Sequence, residues 1–257
     1  MPRPIWTQPG GYVCKWEHFL DPEYADITRR FLKSEPSKHR KQWEFVYIIK
    51  QLELLGKLKK NNYGIGFGCG EEALVPAFAN LGCKVIATDL HTEKSNSGWL
   101  DNNQHASSLE VYQKHLPRLC PAKKFQEHTS FKFVDMNSIP STLFNRFDFA
   151  WSACALEHLG SVSAGLNFII NSAKCLEPGG VAVHTTEYIP GDVTRDNCGT
   201  VYFRRSDLLS LHNMFSSDFK VSYWCFPDKI TDRNDGHYGI YWDNHFITSI
   251  GIVIQKL

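Results

Sequence analysis

Apolar residues in this chain form two alternating patterns, short continuous runs and stretches with helical spacing. Side chains at three- and four-residue intervals predict a helix over residues 43–58, and a weaker pattern predicts one over 23–32. The apolar runs predict seven strands, at residues 62–66, 84–90, 129–135, 147–154, 181–185, 220–226 and 246–255. Further helices are predicted over residues 71–80, 107–115, 162–176 and 206–214.

This alternation predicts an α/β fold with a doubly wound, mainly parallel seven-stranded sheet. The run 147–154 is apolar throughout, as expected for a strand buried on both faces. No amphipathic helix pattern separates the last two strands, so we expect an antiparallel C-terminal strand pair. Residues 1–60 are predicted as an N-terminal helical and irregular lid, and residues 61–257 as the ligand-binding domain.

Composition narrows the classes of protein that the chain can represent. A length of 257 residues with 42% hydrophobic residues suits one large globular domain. The net charge of +1 gives no reason to expect a nucleic-acid partner. Eight scattered cysteines without a Cys-x-x-Cys pair argue against a zinc site or a disulfide framework. No signal peptide or membrane-length apolar run is present, so we expect a cytoplasmic protein without membrane insertion.

Residues 63–72 contain four glycines at alternate positions, a pattern that neither a strand nor a helix interior favours. Such glycines suit a turn that brings backbone N–H groups close to a ligand. Asp89 lies about 20 residues further on, at the end of the next apolar run, where a carboxylate can accept hydrogen bonds from ribose hydroxyls. The stretch therefore predicts a nucleoside cofactor. A dinucleotide remains an alternative, because Gly68, Gly70 and Ala73 match Gly-x-Gly-x-x-Ala.

Residues 66–71, Gly-Phe-Gly-Cys-Gly-Glu, resemble the first motif of class I S-adenosylmethionine-dependent methyltransferases. Residues 152–159 resemble the segment after the fourth strand in that family, and residues 176–180 resemble the turn before its fifth strand. The resemblance covers about residues 60–257. One departure is Gly66, since the family commonly has an acid there that helps hold the methionine end of the cofactor.

The resemblance implies S-adenosyl-L-methionine as the cofactor, with Asp89 at the ribose and Asp135, beside Met136, at the adenine. For Asp135 an equal alternative is a strand-end residue that caps the following turn. The methionine part would lie along the backbone of the glycine turn. The residues predicted to bind the cofactor are Gly66, Phe67, Gly68, Gly70, Asp89, Leu90, Asp135, Met136 and Cys154.

Histidines are the candidates for a general base, since ligands of doubly wound sheets bind at the carboxyl ends of the strands. His158 follows the fourth strand and is the first candidate; His184 is the second. A histidine pKa near 6.5 suits proton removal from a hydroxyl at neutral pH. For each residue the alternative is a hydrogen-bonded histidine without a catalytic role.

The polar connection 187–205 is long, as binding loops often are. Its mixture of polar and aromatic side chains suits a sugar acceptor, and residues 184–187 and 200–205 resemble bacterial methyltransferases of surface-glycan synthesis. The predicted function is therefore O-methylation of a sugar or glycan precursor. The side chains predicted to bind the acceptor are Glu157, Glu187, Arg204 and His245, and Asp232, Asp235 and His237 offer further hydrogen-bonding groups.

Four alternatives remain open from the sequence. The acceptor could be another small hydroxylated metabolite, or the chain could bind a cofactor without catalysis. A nicotinamide oxidoreductase is the third. The fourth is a divalent metal held by the acidic and histidine-rich segments, although no spacing selects its ligands. Nothing in the sequence predicts the oligomeric state.

Overall fold

A computed structural model of the chain describes residues 6–91, 93, 105–227 and 238–257. Its strands are β1 (Gly11–Tyr12), β2 (Tyr63–Gly66), β3 (Lys84–Asp89), β4 (Thr129–Phe133), β5 (Phe147–Ala153), β6 (Leu176–Tyr188), β7 (Phe219–Val221), β8 (Trp224–Cys225), β9 (Gly239–Trp242) and β10 (His245–Lys256). Its α-helices are α1 (Pro22–Ile27), α2 (Arg40–Leu54), α3 (Leu74–Asn80), α4 (Leu116–Leu119), α5 (Ala122–His128), α6 (Val162–Lys174), α7 (Arg205–Leu209) and α8 (Leu211–Met214).

The main sheet has the strand order β4-β3-β2-β5-β6-β10-β7. Strands β2 to β6 pair in parallel, whereas β10 runs antiparallel between β6 and β7. The first four residues of β10 also pair with β9, which makes a hairpin beyond the end of β6. The predicted α/β class, the mainly parallel sheet and the antiparallel C-terminal strand pair are confirmed.

The sheet separates two hydrophobic clusters, one beneath α2 and α3 and the other beneath α6. Successive side chains of a strand point to opposite faces. Accordingly, Phe149 and Trp151 of β5 belong to the first cluster, whereas Ala150 belongs to the second. The continuous apolar run of β5 therefore reflects burial on both faces, as predicted.

The N-terminal segment packs into the first cluster. Trp6 is 2% exposed and lies edge-on against Trp43 and Tyr47 of α2. The Cys14 N–H donates to the carbonyl of Ser249 in β10 (2.7 Å), and β1 pairs in parallel with β8. These contacts give the segment a role in core packing, and both the lid and the boundary at residue 60 stay predictions.

Several boundaries differ from those predicted. Strand β6 starts at Leu176 and ends at Tyr188, so it is longer than the run 181–185. The predicted helix 107–115 is a 3-10 helix, Leu109–His115. Helices α4 and α5 were missed because Pro117 and Pro121 suggested a loop, although proline is tolerated in the first turn and at the start of a helix.

The described helices include none whose length and apolar character would allow it to cross a membrane. All eight cysteines are free, and five of them are buried.

Candidate active site

The glycine turn follows β2 at the carboxyl edge of the sheet. Gly68 and Gly70 have φ angles of 59° and 48°, in the left-handed region that favours glycine. A Cβ atom on Gly68 would lie 2.8 Å from Cβ of Ala155, so the turn passes directly against the segment that follows β5. The glycines therefore let the turn pack closely against the segment that follows β5.

Asp89 ties this turn to the chain beyond β3. Its Oδ2 accepts hydrogen bonds from the N–H groups of Gly70 (3.0 Å) and Ala106 (2.9 Å). Burial raises the pKa of the carboxyl group, and the backbone donors oppose that effect. Asp89 therefore lies at the predicted position and organises the two loops that would surround a ribose.

The predicted adenine side chains lie at the ends of the neighbouring strands. Asp135 accepts a hydrogen bond from the Asn137 N–H (2.9 Å), so it caps a turn as the alternative interpretation expected. Its half-buried position beyond β4 keeps it beside Asp89, whose carbonyl accepts from the Val134 N–H (2.8 Å). Met136 is buried, with its sulfur 3.1 Å from the Cβ that Gly68 would carry. Both interpretations of Asp135 fit this geometry.

Phe67 contributes only backbone to the turn. Its side chain is fully buried and lies edge-on against Phe168 of α6, while its N–H donates to the Trp151 carbonyl (2.9 Å). The ring is thus a core residue, and a cofactor on the turn would contact residue 67 through main-chain atoms.

Leu90 follows β3 and Cys154 follows β5, so the two residues lie on either side of the glycine turn at the carboxyl edge of the sheet. The Leu90 carbonyl lies 2.6 Å from His105 Nε2, which closes the chain around Asp89. Cys154 has a φ of 50°, unusual for a residue with a side chain, and its N–H donates to the Thr185 carbonyl (3.0 Å). Such strained backbone clusters at functional sites, which agrees with the prediction that Cys154 contacts the cofactor.

Glu72 is an acid beside the glycine turn that the sequence analysis did not single out. Its Oε1 accepts a hydrogen bond from the indole Nε1–H of Trp151 (2.5 Å), and it lies beside Cys69. Burial raises the pKa of Glu72 to about 8. Its sequence signal was an acid two residues beyond the last glycine of the turn, which looked like the solvent-exposed start of a helix.

A charged cluster occupies the carboxyl ends of β5 and β6. Arg40 donates to Glu187 Oε1 (2.6 Å), and Lys41 Nζ lies 3.0 Å from Glu44 Oε2. Lys41 also donates to the Ala153 carbonyl at the end of β5 (2.9 Å). With Glu157, the cluster contains three carboxylates and two cations.

The two basic residues of this cluster belong to the short basic run at residues 38–41, a pattern that is usual on a solvated helix face. Arg40 and Lys41 instead stand at the start of α2, where the helix meets the strand ends. Although burial opposes its ionisation, Lys41 and Arg40 hold the pKa of Glu44 below its usual value. In the sequence, Glu44 lies three residues after Lys41 and four after Arg40. This spacing of an acid and two cations is also common on exposed helices.

Three carboxylate oxygens in the cluster are buried without a hydrogen-bond partner among the described residues, Glu44 Oε2, Glu157 Oε1 and Glu187 Oε2, and of these Glu44 Oε2 lies 3.0 Å from the Lys41 ammonium. Thr186 donates to the other oxygen of Glu157 (3.1 Å). Burial, and then the nearby Glu187, raises the pKa of Glu157 to about 8. Both predicted acceptor-binding acids are thus brought together, with unused capacity to accept hydrogen bonds.

His158 lies next to this cluster in a 3-10 turn, Leu156–His158. Its Nδ1 is 3.1 Å from the Gly199 carbonyl and 3.2 Å from Thr200 Oγ1. A carbonyl at Nδ1 requires a proton on that nitrogen, which places the basic lone pair on Nε2. Burial lowers the pKa of His158, so the ring is neutral at pH 7. This geometry fits the base predicted from the sequence.

His184 is excluded as a base by its surroundings. It is fully buried on β6, with Nδ1 2.8 Å from Ser152 Oγ and Nε2 2.9 Å from Ser172 Oγ. Burial lowers its pKa to about 3. His184 is therefore a hydrogen-bonded core histidine, the alternative that the sequence left open.

The other predicted acceptor side chains are more distant or already paired. The guanidinium of Arg204 donates to both oxygens of Asp207 (2.9 and 3.1 Å), so it is already paired at the start of α7. His245 lies in the β9–β10 hairpin, with Nδ1 2.7 Å from the Asp243 carbonyl. Asp232, Asp235 and His237 lie outside the described residues.

Within the described ranges, no group of three or more histidine, cysteine, aspartate or glutamate side chains is arranged to hold a metal ion. The charged cluster joins its carboxylates to Arg40 and Lys41, which supply positive charge there.

Comparison with known proteins gives a family match over most of the chain. A family model described as a methyltransferase domain matches residues 16–212. The match includes α2 with its two cations, the glycine turn, Asp89 and the segment after β5. The chain matches no curated protein sequence.

Solved structures show the same fold at low sequence identity. A proposed sarcosine dimethylglycine methyltransferase from Galdieria sulphuraria is 15% identical, with a TM-score of 0.52 and coverage of 84% of each chain. The YcgJ protein from Bacillus subtilis is 16% identical, with a TM-score of 0.51 and coverage of 83% of this chain and 97% of that one. A phosphoethanolamine N-methyltransferase from Haemonchus contortus, solved with S-adenosyl-L-methionine, is 12% identical, with a TM-score of 0.52 and coverage of 91% of this chain and 60% of that one.

Proposed function

Because the chain belongs to the methyltransferase domain family, we propose that it methylates a polar small molecule held at the carboxyl ends of β5 and β6. Its cofactor is S-adenosylmethionine, which supplies an electrophilic methyl group on a sulfonium when bound. The observation that supports this location is the contact between Gly68 and Ala155, since it joins the glycine turn to the segment bearing Glu157 and His158.

The residues of this edge have separate roles in the proposed reaction. Glu157 and Glu187 bind the acceptor, and the strained backbone at Cys154 lies between them and the turn. His158 Nε2 receives the hydroxyl proton as the acceptor oxygen gains the methyl group and the cofactor sulfur becomes a thioether. Proton removal concerted with transfer avoids a free alkoxide, and a positioned base contributes typically ~10²–10⁴-fold.

The first candidate for the acceptor is a hydroxyl of a sugar or glycan precursor. In support, Arg195 donates to the Tyr202 hydroxyl (2.8 Å) and lies over the rings of Tyr202 and Trp242. These residues connect the loop after β6 with the β9–β10 hairpin, so polar and aromatic groups are combined beyond the strand ends. Planar rings can cover the C–H faces of a sugar while polar groups bind its hydroxyls.

The second candidate is an amine, and the unpartnered oxygens of Glu157 and Glu187 favour it. A buried carboxylate oxygen without a donor is costly, and an ammonium group would supply N–H donors to it. The amine must lose a proton before its nitrogen can gain the methyl group. His158 is placed to take that proton as well, so the two candidates share a base and differ in the acceptor atom.

Binding and turnover separate these functions. We expect calorimetry to show binding of S-adenosylmethionine and S-adenosylhomocysteine and no binding of NAD. Methyl transfer from labelled cofactor should then be measured with nucleotide sugars and glycosides, and separately with small primary and secondary amines. Transfer to only one set identifies the acceptor atom. Cofactor binding without transfer to any acceptor would instead support a binding protein, and preference for NAD would contradict the proposal.

A further inference from the structure

We propose that Arg195 binds an anionic group of the acceptor, a phosphate or a carboxylate, beside the two acids that hold the reacting end. This inference rests on the proposed function, because it concerns the acceptor of that reaction. It assigns a specificity-determining residue in the loop between β6 and α7, at a position that no motif in the sequence singles out.

The segment 201–203 connects this loop to the two acids. The Val201 N–H donates to the Glu157 carbonyl (2.8 Å), and the Phe203 N–H donates to the Glu187 carbonyl (3.0 Å). Tyr202 lies between these two contacts. Burial, and then the nearby Glu187, raises the pKa of the Tyr202 hydroxyl. Tyr202 is therefore held against the acids by the backbone on both sides of it.

Tyr202 in turn fixes the position of Arg195. Its N–H donates to the Arg195 carbonyl (3.0 Å), and its hydroxyl accepts a hydrogen bond from the guanidinium (2.8 Å). The guanidinium also lies 5.0 Å from the centre of the Tyr202 ring and 5.4 Å from that of Trp242 in β9. Aromatic rings attract a cation without neutralising its charge. Arg195 is thus oriented and still carries a full positive charge.

That charge has no carboxylate partner among the residues that the structure describes. Arg204, in the same loop, pairs with Asp207 at the start of α7. The acid next to Arg195 in the sequence, Asp196, instead accepts a hydrogen bond from the Val162 N–H at the start of α6 (2.7 Å). Arg195 is therefore a cation whose counter-charge a ligand can supply.

The guanidinium also keeps donors for such a ligand. It has more N–H groups than the Tyr202 hydroxyl and the nearby Cys198 sulfur can accept. Arg195 is only half-buried, so these donors remain accessible. The planar fork of an arginine binds two oxygens of a phosphate or a carboxylate at once.

Together, Arg195 and the two acids describe a class of acceptor. The unpartnered oxygens of Glu157 and Glu187 suit hydrogen-bond donors at the end that is methylated, a hydroxyl or an ammonium group. Arg195 suits an anion at the other end. Sugar phosphates, amino acids and phosphorylated amino alcohols meet both conditions, whereas neutral glycosides and simple amines meet only the first.

The first test uses inorganic phosphate and needs no identified acceptor. Phosphorus NMR would measure phosphate binding to the protein saturated with S-adenosylhomocysteine, and added acetate would show whether a carboxylate competes. We expect Arg195→Gln to weaken phosphate binding about tenfold or more, because the charged donors are lost. The matched control is Arg205→Gln, which removes an exposed arginine that lies over the Phe226 ring. It should change phosphate binding by less than twofold.

The second test measures methyl transfer to pairs of acceptors that differ only in the anionic group. The pairs are sugar phosphates with free sugars, and amino acids with the amines that lack the carboxylate. We expect the wild type to prefer the anionic member about tenfold or more in kcat/KM. Arg195→Gln should lose this preference through KM, with kcat within twofold, because Arg195 does not contact the reacting atoms.

Melting curves would establish that each variant is folded. If Arg195→Gln does not fold, Arg195→Lys keeps a charge near the rings but loses the planar fork, and it should lose part of the phosphate affinity. Equal phosphate binding by wild type and Arg195→Gln would overturn the proposal, as would equal turnover of anionic and neutral acceptors. The second result would leave the proposed function intact, whereas a wild type that does not bind S-adenosylmethionine would contradict the proposed function itself.

Discussion

The two halves of the proposed site satisfy their buried acids in different ways. In the cofactor half, defined as the glycine turn with Asp89 and Glu72, each carboxylate accepts hydrogen bonds from groups within the fold. In the acceptor half, defined as Glu157, His158 and Glu187 with the cations of α2, two carboxylate oxygens are buried without a partner among the described residues.

This difference teaches how each half selects its ligand. The cofactor half uses backbone N–H groups and left-handed glycines, so its shape is set before any ligand binds. The acceptor half depends on side chains from α2, the segment after β5 and the end of β6, which are far apart in sequence. Its unused hydrogen-bonding capacity suits a polar ligand. We infer that acceptor specificity is concentrated there.

The largest effect should come from the proposed base. We expect His158→Ala to lower kcat by about 10²–10⁴-fold while cofactor affinity stays within twofold, because His158 belongs to the acceptor half. The wild-type rate should fall on the acid side, below the lowered pKa of His158, and that limb should disappear in the variant. The exposed His212 provides a matched histidine-to-alanine control. Retention of most of kcat in His158→Ala would place the base elsewhere.

Asp89→Ala should give the next largest effect, and this effect should be on cofactor affinity, which His158→Ala leaves unchanged. We expect cofactor affinity to fall about tenfold or more, because the variant loses a charged acceptor for ribose hydroxyls and the tie between Gly70 and Ala106. Asp148→Ala is the control, since Asp148 accepts a backbone N–H from Tyr63 (2.7 Å) at the opposite edge of the sheet. Calorimetry on both folded variants tests the assignment, and equal affinities would contradict it.

The cofactor half was largely predictable because its signals are local. The glycines, the following helix and Asp89 form a continuous stretch of sequence, and the backbone imposes their spacing. The hydrogen bond of Glu72 escaped prediction because it depends on Trp151, which reaches the acid only when β5 pairs beside β2. Its own neighbourhood in the sequence resembles the solvated start of a helix.

The acceptor half was only partly predictable because its contacts are between distant segments. The strand ends identified Glu157, His158 and Glu187, but not which partners each would find. The alternation of apolar residues placed His184 on β6 without showing that Ser152 and Ser172 bind both its nitrogens. The same lack of partner information made Arg204 look available.

A third prediction tests the burial of Glu157 through pH. Its pKa of about 8 lies above the usual 4.5, so the folded protein binds the proton more tightly than the unfolded one. The contribution of Glu157 to the free energy of unfolding of the wild type should therefore fall as pH rises from about 5 to 8. Glu157→Gln should remove that loss, and its melting temperature relative to wild type should rise over this range by about 2–4 °C per 1 kcal/mol.

The control for this comparison is Glu127→Gln, which changes an exposed glutamate of α5. Its melting temperature should follow that of wild type at every pH. If the melting temperatures of Glu157→Gln and wild type changed in parallel with pH, Glu157 would be ionised in the folded protein without a loss of stability. The contrast between the two halves would then be weaker than the unpartnered oxygens suggest.

The smallest effect should come from Arg204→Gln. The structure pairs Arg204 with Asp207 at the start of α7, so its loss should leave the acceptor KM within about twofold. The partly exposed ion pair contributes about 0.2–1 kcal/mol to stability, and the melting temperature should shift by a few degrees at most.

Glu187→Gln provides the contrast to Arg204→Gln, because Glu187 has an unpartnered buried oxygen and the Phe203 N–H donates to its carbonyl (3.0 Å). We expect it to raise the acceptor KM about tenfold or more. A comparable rise for Arg204→Gln would return Arg204 to the acceptor half and show that Asp207 releases it when the acceptor binds.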